Sequence, residues 1–354
     1  MSDSRRSGPL ADLGAADDLR RVLLSSGVVG TPAAPGARPL ILDDDDRLYL
    51  HRHFDYERRL AQRLMRAAAA PPAAVDATTQ QQLNALFGPQ AGPDWQKIAA
   101  ALALRQRLVV VSGGPGTGKT TTVVNLLACL LEQNPQPRIA LAAPTGKAAA
   151  RMSEALRQRA QHLPPALRER LPAQAATVHR LLGAFPGGFT HHAGRPLAID
   201  ALVVDEASML DLALATRLLE AVPETARLIL LGDKDQLAAV ESGAVFAELS
   251  ADPTLSAACI DDLARLCELP TAAIVTGMPR EASPLRDSVV WLTHNFRFGA
   301  DSGIALAAAS VRDGHSDPLL QRLRQRGDEA LHWLDDGDAA PAAATWQCMR
   351  DGYA

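Results

Sequence analysis

The chain has 354 residues, 47% hydrophobic and 21% charged, enough for two or three globular domains with cores of their own. A net charge of -4 supplies no global basic field, which argues against a pure nucleic-acid-binding module but leaves room for a local basic groove. Cys129, Cys259, Cys267 and Cys348 lack C-x-x-C or metal-ligand spacing, and no apolar run suits a signal or membrane segment, so the sequence points to free thiols and a cytoplasmic protein.

Residues 1–38 are rich in Ser, Ala, Gly and Pro and read as a loose start, with one short helix near residues 17–24. Residues 39–42 and 47–50 form a hairpin whose turn is the run Asp43, Asp44, Asp45, Asp46. Consecutive side chains in a turn do not converge, so a solvated acidic turn is expected there rather than a metal site. Residues 54–70 suit an amphipathic helix, with Phe54, Leu60, Leu64 and Met65 inward and Arg58, Arg59, Arg63 and Arg66 outward. Residues 67–77, with Pro71-Pro72, are a linker candidate. Nothing in the first 90 residues carries catalytic chemistry.

A helix over residues 95–104 leads into LVVVSGGPGTGKTTTVVNLLACLL, residues 108–131. Gln96 at its start has the amide donor and acceptor for an adenine edge, and equally suits a solvated helix start. Residues 108–111 read as a buried parallel strand. The loop Gly113, Gly114, Pro115, Gly116, Thr117, Gly118, Lys119, Thr120 fits G-x-x-x-x-G-K-[ST], and Thr121 and an apolar helical run follow. Glycines let backbone N–H groups close round phosphate oxygens, and the helix N-terminus adds its positive dipole end. Lys119 suits the β- and γ-phosphates, and the Thr120 hydroxyl suits Mg²⁺. A structural glycine turn is the bland alternative; the strand before, Lys-Thr within and helix after argue for nucleoside triphosphate binding.

Residues 138–143 form a second strand, and Thr145, Gly146 and Lys147 follow at the end where open α/β sheets place ligands. A threonine, a close backbone approach and a lysine opening a helix suit a phosphodiester; helix capping is the alternative. Thr177, His179 and Arg180 make a short basic stretch, and residues 185–189 and 191–194 suggest a tight hairpin. The pair His191-His192 lacks the further ligands a zinc site needs. In the strand 201–204, Asp205 and Glu206 follow at the carboxyl end, where one carboxylate holds Mg²⁺ and its neighbour polarises the attacking water. A salt-bridged surface pair is the alternative. Residues 227–231 are a fourth strand before Gly232, Asp233, Lys234, Asp235 and Gln236. Gln236 suits a γ-phosphate sensor, whereas Asp233 and Asp235 fit loop carboxylates equally well. Residues 259–269 suit a short helix, and 271–286 are broken by Pro and Gly. A strand over 288–292 precedes Arg297, which could reach a phosphate; 304–311 is helical, and 335–344 is acidic and low in complexity.

Taken in order, WQKIAAALAL, SGGPGTGKTTTV, LAAPTGKAAARM, TVHRLLGA, HHAGRPL, LVVDEASMLDL, LGDKDQLAAVESGAVF and NFRFGADSGI resemble superfamily 1 helicases of the 5′-to-3′ branch, most nearly the RecD-type alpha subunits of exodeoxyribonuclease V (RecBCD). The resemblance covers roughly residues 38–311. It implies an α/β fold: a RecA-like P-loop motor domain at 89–250, with a hairpin insertion at about 183–199 that splits or guides strands. A small N-terminal partner-docking domain with its linker would occupy 1–88, and a connector with an incomplete second RecA-like domain 251–354. Gln96 would lie at adenine, the loop from Gly113 to Thr121 at the phosphates of ATP, and Thr120 and Asp205 at Mg²⁺. Lys119, Asp205, Glu206, Gln236 and Arg297 would be catalytic, with Glu206 the base. Thr145, Lys147, Thr177, His179 and Arg180 would line a single DNA strand. The partners implied are DNA ends and RecB and RecC subunits, with no membrane. The implied activity is ATP-driven 5′-to-3′ unwinding in recombinational repair, through a cleft that closes on ATP.

Two further motifs of that family, an S-Q-G type segment and a T-R-A-R type segment with its arginine finger, do not occur before Ala354. The sequence is therefore expected to be a truncated product, a fragment or a misread frame that binds ATP–Mg²⁺ and turns it over poorly. Two other expectations compete: a non-hydrolysing nucleotide-gated scaffold for RecB- and RecC-like partners, and a piece of a stand-alone RecD-like helicase.

Overall fold

Uninterrupted apolar runs become the strands of one sheet, which positions everything else. The computed structural model describes residues 16–88, 92–134, 136–236, 245–276, 283–299, 302–324 and 342–351. Parts of three expectations, the loose start, the Pro- and Gly-broken stretch and the acidic run near 335–344, lie outside them. The chain forms two compact units, one of Met1–Gly113 with Lys119–Trp291 and one of Gly114–Gly118 with Leu292–Ala354.

The first unit opens with α1 (Ala16–Ser25), then β1 (Val29–Gly30), β2 (Leu40–Leu42) and β3 (Leu48–Leu50), a small sheet in which β2 pairs parallel with β1 and antiparallel with β3. The acidic turn is knitted by arginines: Asp43 accepts from Arg47 Nε at 2.7 Å and Asp46 from Arg20 at 2.6 Å. Next come α2 (His51–Ala68), α3 (Ala77–Phe87) and α4 (Trp95–Arg105). In α2, Leu60 and Leu64 are buried as expected, but two assignments are corrected. Met65 is 51% exposed and Arg63 only 4%. Arg63 turns inward because it donates to Val222 O at 3.3 Å and Pro223 O at 3.1 Å, carbonyls at the end of a helix that α2 packs against. A cation there meets the negative end of the helix dipole, which offsets part of the cost of burying it.

The main sheet is built from β4 (Leu108–Gly113), β5 (Ile139–Ala143), β6 (Ala176–Thr177), β9 (Ala201–Val204), β10 (Arg227–Gly232) and β11 (Val289–Leu292), after β7 (Ala184–Phe185) and β8 (Gly188–Phe189) pair as a separate hairpin. Its order is β11-β4-β10-β9-β5-β6. The β4–β10, β10–β9, β9–β5 and β5–β6 pairs are parallel. Strands β4 and β9 are buried along their whole length. Hydrophobic burial on both faces explains their unbroken apolar sequence. The helices between strands are α5 (Lys119–Gln133), α6 (Gly146–Arg159), the single-turn α7 (Pro165–Arg168), α8 (Val178–Leu182) and α9 (Leu212–Ala221), followed by α10 (Val245–Leu249) and α11 (Ala257–Cys267). Leu60 and Leu64 of α2, Val178 and Leu182 of α8, Leu218 of α9 and Phe246 of α10 share one core with Leu108 and Val110 of β4. Strand alternation sends Val109 and Val111 to the opposite face, where α4 packs on α5 and β4, and α11 packs on α4.

This unit runs on to Trp291, past the division expected at residue 250, because α11 and β11 join it. Burial pushes the thiols of Cys129, Cys259 and Cys267 up to about 12, so they are inert packing residues. In the second unit are α12 (Gly303–Arg312), α13 (Ser316–Arg324) and α14 (Ala343–Asp351), with Ser302 capping α12 by accepting from Ala305 N at 3.2 Å. No helix among the described residues is long and apolar enough to cross a membrane.

Candidate functional site

Parallel strands present their carboxyl ends to one edge of the sheet, and the chemistry-bearing residues follow those ends. Between β4 and α5 lies the Gly-rich loop, with φ of +85° at Gly116 and +82° at Gly118. Those angles lie in a region that side-chain-bearing residues rarely enter. Thr117 is buried and its Oγ1 donates to Gly114 O at 2.8 Å, which pins the turn. Lys119, the first residue of α5, folds back so that its Nζ donates to Gly113 O. Lys119, Thr120 and Asp205 line one crevice, with Val123, Met152, Leu156 and Leu231 as its apolar wall.

Asp205 leaves the end of β9, where its N–H donates to Ala142 O at 2.9 Å, and its carboxylate accepts from Glu206 N at 2.9 Å. Burial raises the Asp205 pKa, against the pull of that N–H and of Lys119. Glu206 is also raised, first by burial and then by repulsion from Asp205, while Lys119 and Arg151 oppose it. Its φ is +52°, left-handed backbone that costs a residue of this kind roughly 1–2 kcal/mol. The pair is not a salt-bridged surface couple: Asp205 and Glu206 are both half-buried, and neither forms an ion pair among the described residues. Strain and desolvation are thus concentrated on adjacent carboxylates at a strand end, the arrangement in which functional carboxylates are commonly found.

Strand β10 ends in the third loop. Asp233 is buried and accepts from Asp235 N at 3.0 Å, while Lys234 N donates to Ser112 Oγ of β4 at 3.0 Å. Lys234 also pairs with Asp235 at 2.7 Å and lies 4.7 Å from the Trp291 ring centre. Asp233 and Asp235 are thus loop-shaping carboxylates. Gln236 is exposed, with its N–H donating to Asp233 O at 3.3 Å. Gln96 sits at the first turn of α4, its N–H donating to the Asp94 cap at 2.8 Å and its side chain half-buried.

In the second unit, Arg297 is exposed and lies in a turn organised by Asn295, whose Oδ1 accepts from Arg297 N at 2.8 Å and Phe298 N at 3.1 Å. Asn295 Nδ2 donates to Pro115 O at 3.0 Å, and Phe296 N donates to Gly116 O at 2.9 Å. A Cβ on Gly116 would come within 2.7 Å of Asn295 Oδ1 and 2.9 Å of Arg297 Cβ. The phosphate loop and the arginine segment therefore share one set of hydrogen bonds. Sequence reasoning gave Asn295 no role, although an Asn followed by turn residues is a signal for such local bonding.

On the far side of the sheet, Thr145 caps α6 by accepting from Ala148 N at 3.2 Å, and Thr177 caps α8 by accepting from Arg180 N at 3.2 Å. Capping, the alternative weighed for Thr145, is thus what its hydroxyl does here; a hydroxyl that accepts one bond keeps its O–H to donate. Ala143 and Thr177 are register partners in β5 and β6, which brings the two helix starts side by side. A groove of about 480 Å³ runs here, lined by Gly146, Ser153 and Arg157 of α6 and by Gln174, Thr177 and Arg180. Lys147, His179 and Arg180 are exposed. The His179 ring lies 6.0 Å from that of Phe189 on the hairpin.

Among the described residues no group of three or more His, Cys, Asp or Glu could hold a metal alone. A cation at Thr120 and Asp205 would need oxygens from a ligand, the habit of Mg²⁺ shared with phosphates. The glycine-rich loop and the paired hydroxyl and carboxylate fit that group.

Residues 96–242 match the family described as AAA domain. The RecBCD enzyme subunit RecD of Mycobacterium tuberculosis is 41% identical over 324 residues, covering 87% of this chain and 50% of that one. The RecBCD enzyme subunit RecD of Mycolicibacterium smegmatis is 45% identical over 323 residues, covering 89% and 50%. The ATP-dependent RecD2 DNA helicase of Deinococcus radiodurans is 36% identical over 212 residues, covering 60% and 27%. The chain spans about half the length of the RecD subunits it matches.

Proposed function

We propose, from the premise that the matched stretch belongs to the RecD family of superfamily 1 helicases, that this chain carries the nucleotide site and part of the DNA track of an ATP-driven 5′-to-3′ DNA helicase subunit. The observation that carries this reading is the convergence of Lys119, Thr120 and the desolvated Asp205 on one crevice at the carboxyl ends of β4 and β9.

In this reading the N–H groups of Gly114–Gly118 and of the first turn of α5 cradle the phosphates of ATP, and Gln96 pairs with the adenine edge. Lys119 exchanges Gly113 O for a phosphate oxygen, which replaces a neutral acceptor with an anionic one. Thr120 and Asp205 would hold Mg²⁺, which would supply positive charge to offset that of the phosphates. Glu206, its affinity for protons raised by burial and then by Asp205, orients and deprotonates the attacking water. Gln236 senses the terminal phosphate, and Arg297 contributes a cation to it from the segment tied to the phosphate loop. A single DNA strand follows the groove at α6 and α8, held by the hydroxyls of Thr145 and Thr177 and by Lys147, His179 and Arg180. The β7–β8 hairpin guides or splits strands. RecB- and RecC-like chains dock on the N-terminal region, in the cytoplasm.

The test is nucleotide binding and ATP turnover by the 354-residue chain with and without single-stranded DNA, beside Lys119→Ala. Mg²⁺-dependent ATP binding that DNA modulates and Lys119→Ala removes is the expected result. Binding equal in wild type and Lys119→Ala would refute the site.

A further inference from the structure

Two strands of two residues each do not hold a hairpin in place, so the position of β7–β8 must be set by its surroundings. Its base is fixed on α8: Gly183 has φ +66°, and its carbonyl accepts from Thr190 N and Thr190 Oγ1, each at 3.0 Å. His191 N donates to Leu182 O at 3.0 Å. Above the base, Phe189 pairs with Ala184, packs against the core and meets two polar side chains. On one side is His179 of α8, and on another the Arg217 guanidinium of α9, 5.7 Å from the ring centre.

Arg217 is committed in turn to Tyr56 of α2. Its guanidinium lies 5.8 Å from the Tyr56 ring centre and donates to the phenol oxygen at 3.1 Å. Tyr56 takes a second cation, Arg59, at 5.2 Å, and Arg59 is anchored by Asp55 at 2.7 Å and Glu220 at 2.8 Å. The Tyr56 carbonyl accepts from Thr216 Oγ1 at 3.2 Å. No carboxylate among the described residues pairs with Arg217, so its planar cation serves two rings and a hydroxyl. The result is a continuous ladder of His179, Phe189, Arg217, Tyr56 and Arg59, from α8 beside the groove to α2.

We propose that Arg217 is a positioning residue, partnered by Tyr56, that fixes the hairpin, through Phe189, at the angle needed to engage the junction of a forked duplex. The N-terminal region thereby sets the position of the hairpin beside the DNA track. This rests on the DNA-binding reading above, and its consequence is selective: junction recognition depends on the contacts of Arg217 with Phe189 and Tyr56, and grip on a plain single strand does not.

Fluorescence anisotropy with the 354-residue chain tests it, using a forked duplex and a single-stranded oligonucleotide of equal length, with thermal melting as the folding control. Wild type should bind the fork more tightly. Arg217→Ala should lose about tenfold in fork affinity, the size expected for two cation–ring contacts and one hydrogen bond. Its single-strand affinity should stay within about twofold, a single exposed charge remote from the strand being worth little. Tyr56→Leu should do the same, the double variant should be no worse than the weaker single, and Arg217→Lys should recover part of the loss. A folded Arg217→Ala with unchanged fork affinity would overturn the proposal. So would equal loss on both probes, no recovery by lysine, or a wild type that binds both probes alike. A wild type that binds neither would instead sink the DNA-binding reading itself.

Discussion

Gly116→Ala isolates what the phosphate loop owes to its backbone. At φ +85° an alanine is strained by roughly 1–2 kcal/mol. Its Cβ would come within 2.7 Å of Asn295 Oδ1, so Asn295 must move away. That movement breaks the Asn295 Nδ2 to Pro115 O bond and loosens Phe296 N to Gly116 O, each worth about 1 kcal/mol. The loop conformation shown is then disfavoured by about 3 kcal/mol, and nucleotide affinity falls by a factor on the order of 100. The core of the sheet is untouched, so the far-ultraviolet dichroism should not change. Titration with a fluorescent ATP analogue measures the affinity, and hydrogen exchange at the Phe296 amide reports the local bond. Wild-type affinity in Gly116→Ala, with the Phe296 amide still protected, would refute this account of the loop.

Asp205→Asn should remove Mg²⁺-dependent nucleotide binding yet stabilise the ligand-free protein by ~1 kcal/mol at pH 7, as substitutions that relieve a strained functional site do. The sign follows from the raised pKa of Asp205: the folded state holds the proton more tightly, so stability is full below the unfolded carboxylate range and is lost as pH rises through the folded value. Melting curves from pH 4 to 8 should show that loss in wild type and less of it in Asp205→Asn; an equal or steeper loss would exclude the assignment. Arg63→Met should lower unfolding free energy by about 2 kcal/mol, since two carbonyls lose a charged donor. Urea denaturation measures it, and no change would mean that water replaces the guanidinium. Arg180→Ala should flatten the dependence of single-strand affinity on salt by about 0.7 in the log–log slope. An unchanged slope would remove Arg180 from the strand path.

The local parts of this molecule are legible in its sequence because their causes are local. The phosphate loop announces itself by glycines, a lysine and the flanking apolar runs, and Thr145 and Thr177 cap helices that begin beside them. What escaped detection depends on distant partners. Arg63 looked solvated because its acceptors, Val222 and Pro223, lie roughly 160 positions away. Helix α3 was hidden among polar residues that turn out to bond another helix: Gln80 Nε2 donates to Arg265 O at 3.1 Å and Asn84 Nδ2 to Glu268 at 2.8 Å. Strand β11 was read as belonging to a second motor domain, and nothing in four apolar residues could reveal that its neighbour in the sheet is β4.

The sheet order also sets a timetable for biosynthesis. Strand β4 has β10 on one side and β11 on the other, and β11 is the last of the six to leave the ribosome. At ~5–20 residues per second, the roughly 180 residues from β4 to β11 take on the order of 10–40 s. Throughout that interval the strand that carries the phosphate loop is an open edge, exposed to mispairing with other nascent chains. A nucleotide site built this way matures late, when Val289 and Val290 seal the strand and Asn295 follows to tie down the loop. The long exposure of that edge is therefore a property of the topology, whichever residues fill the site.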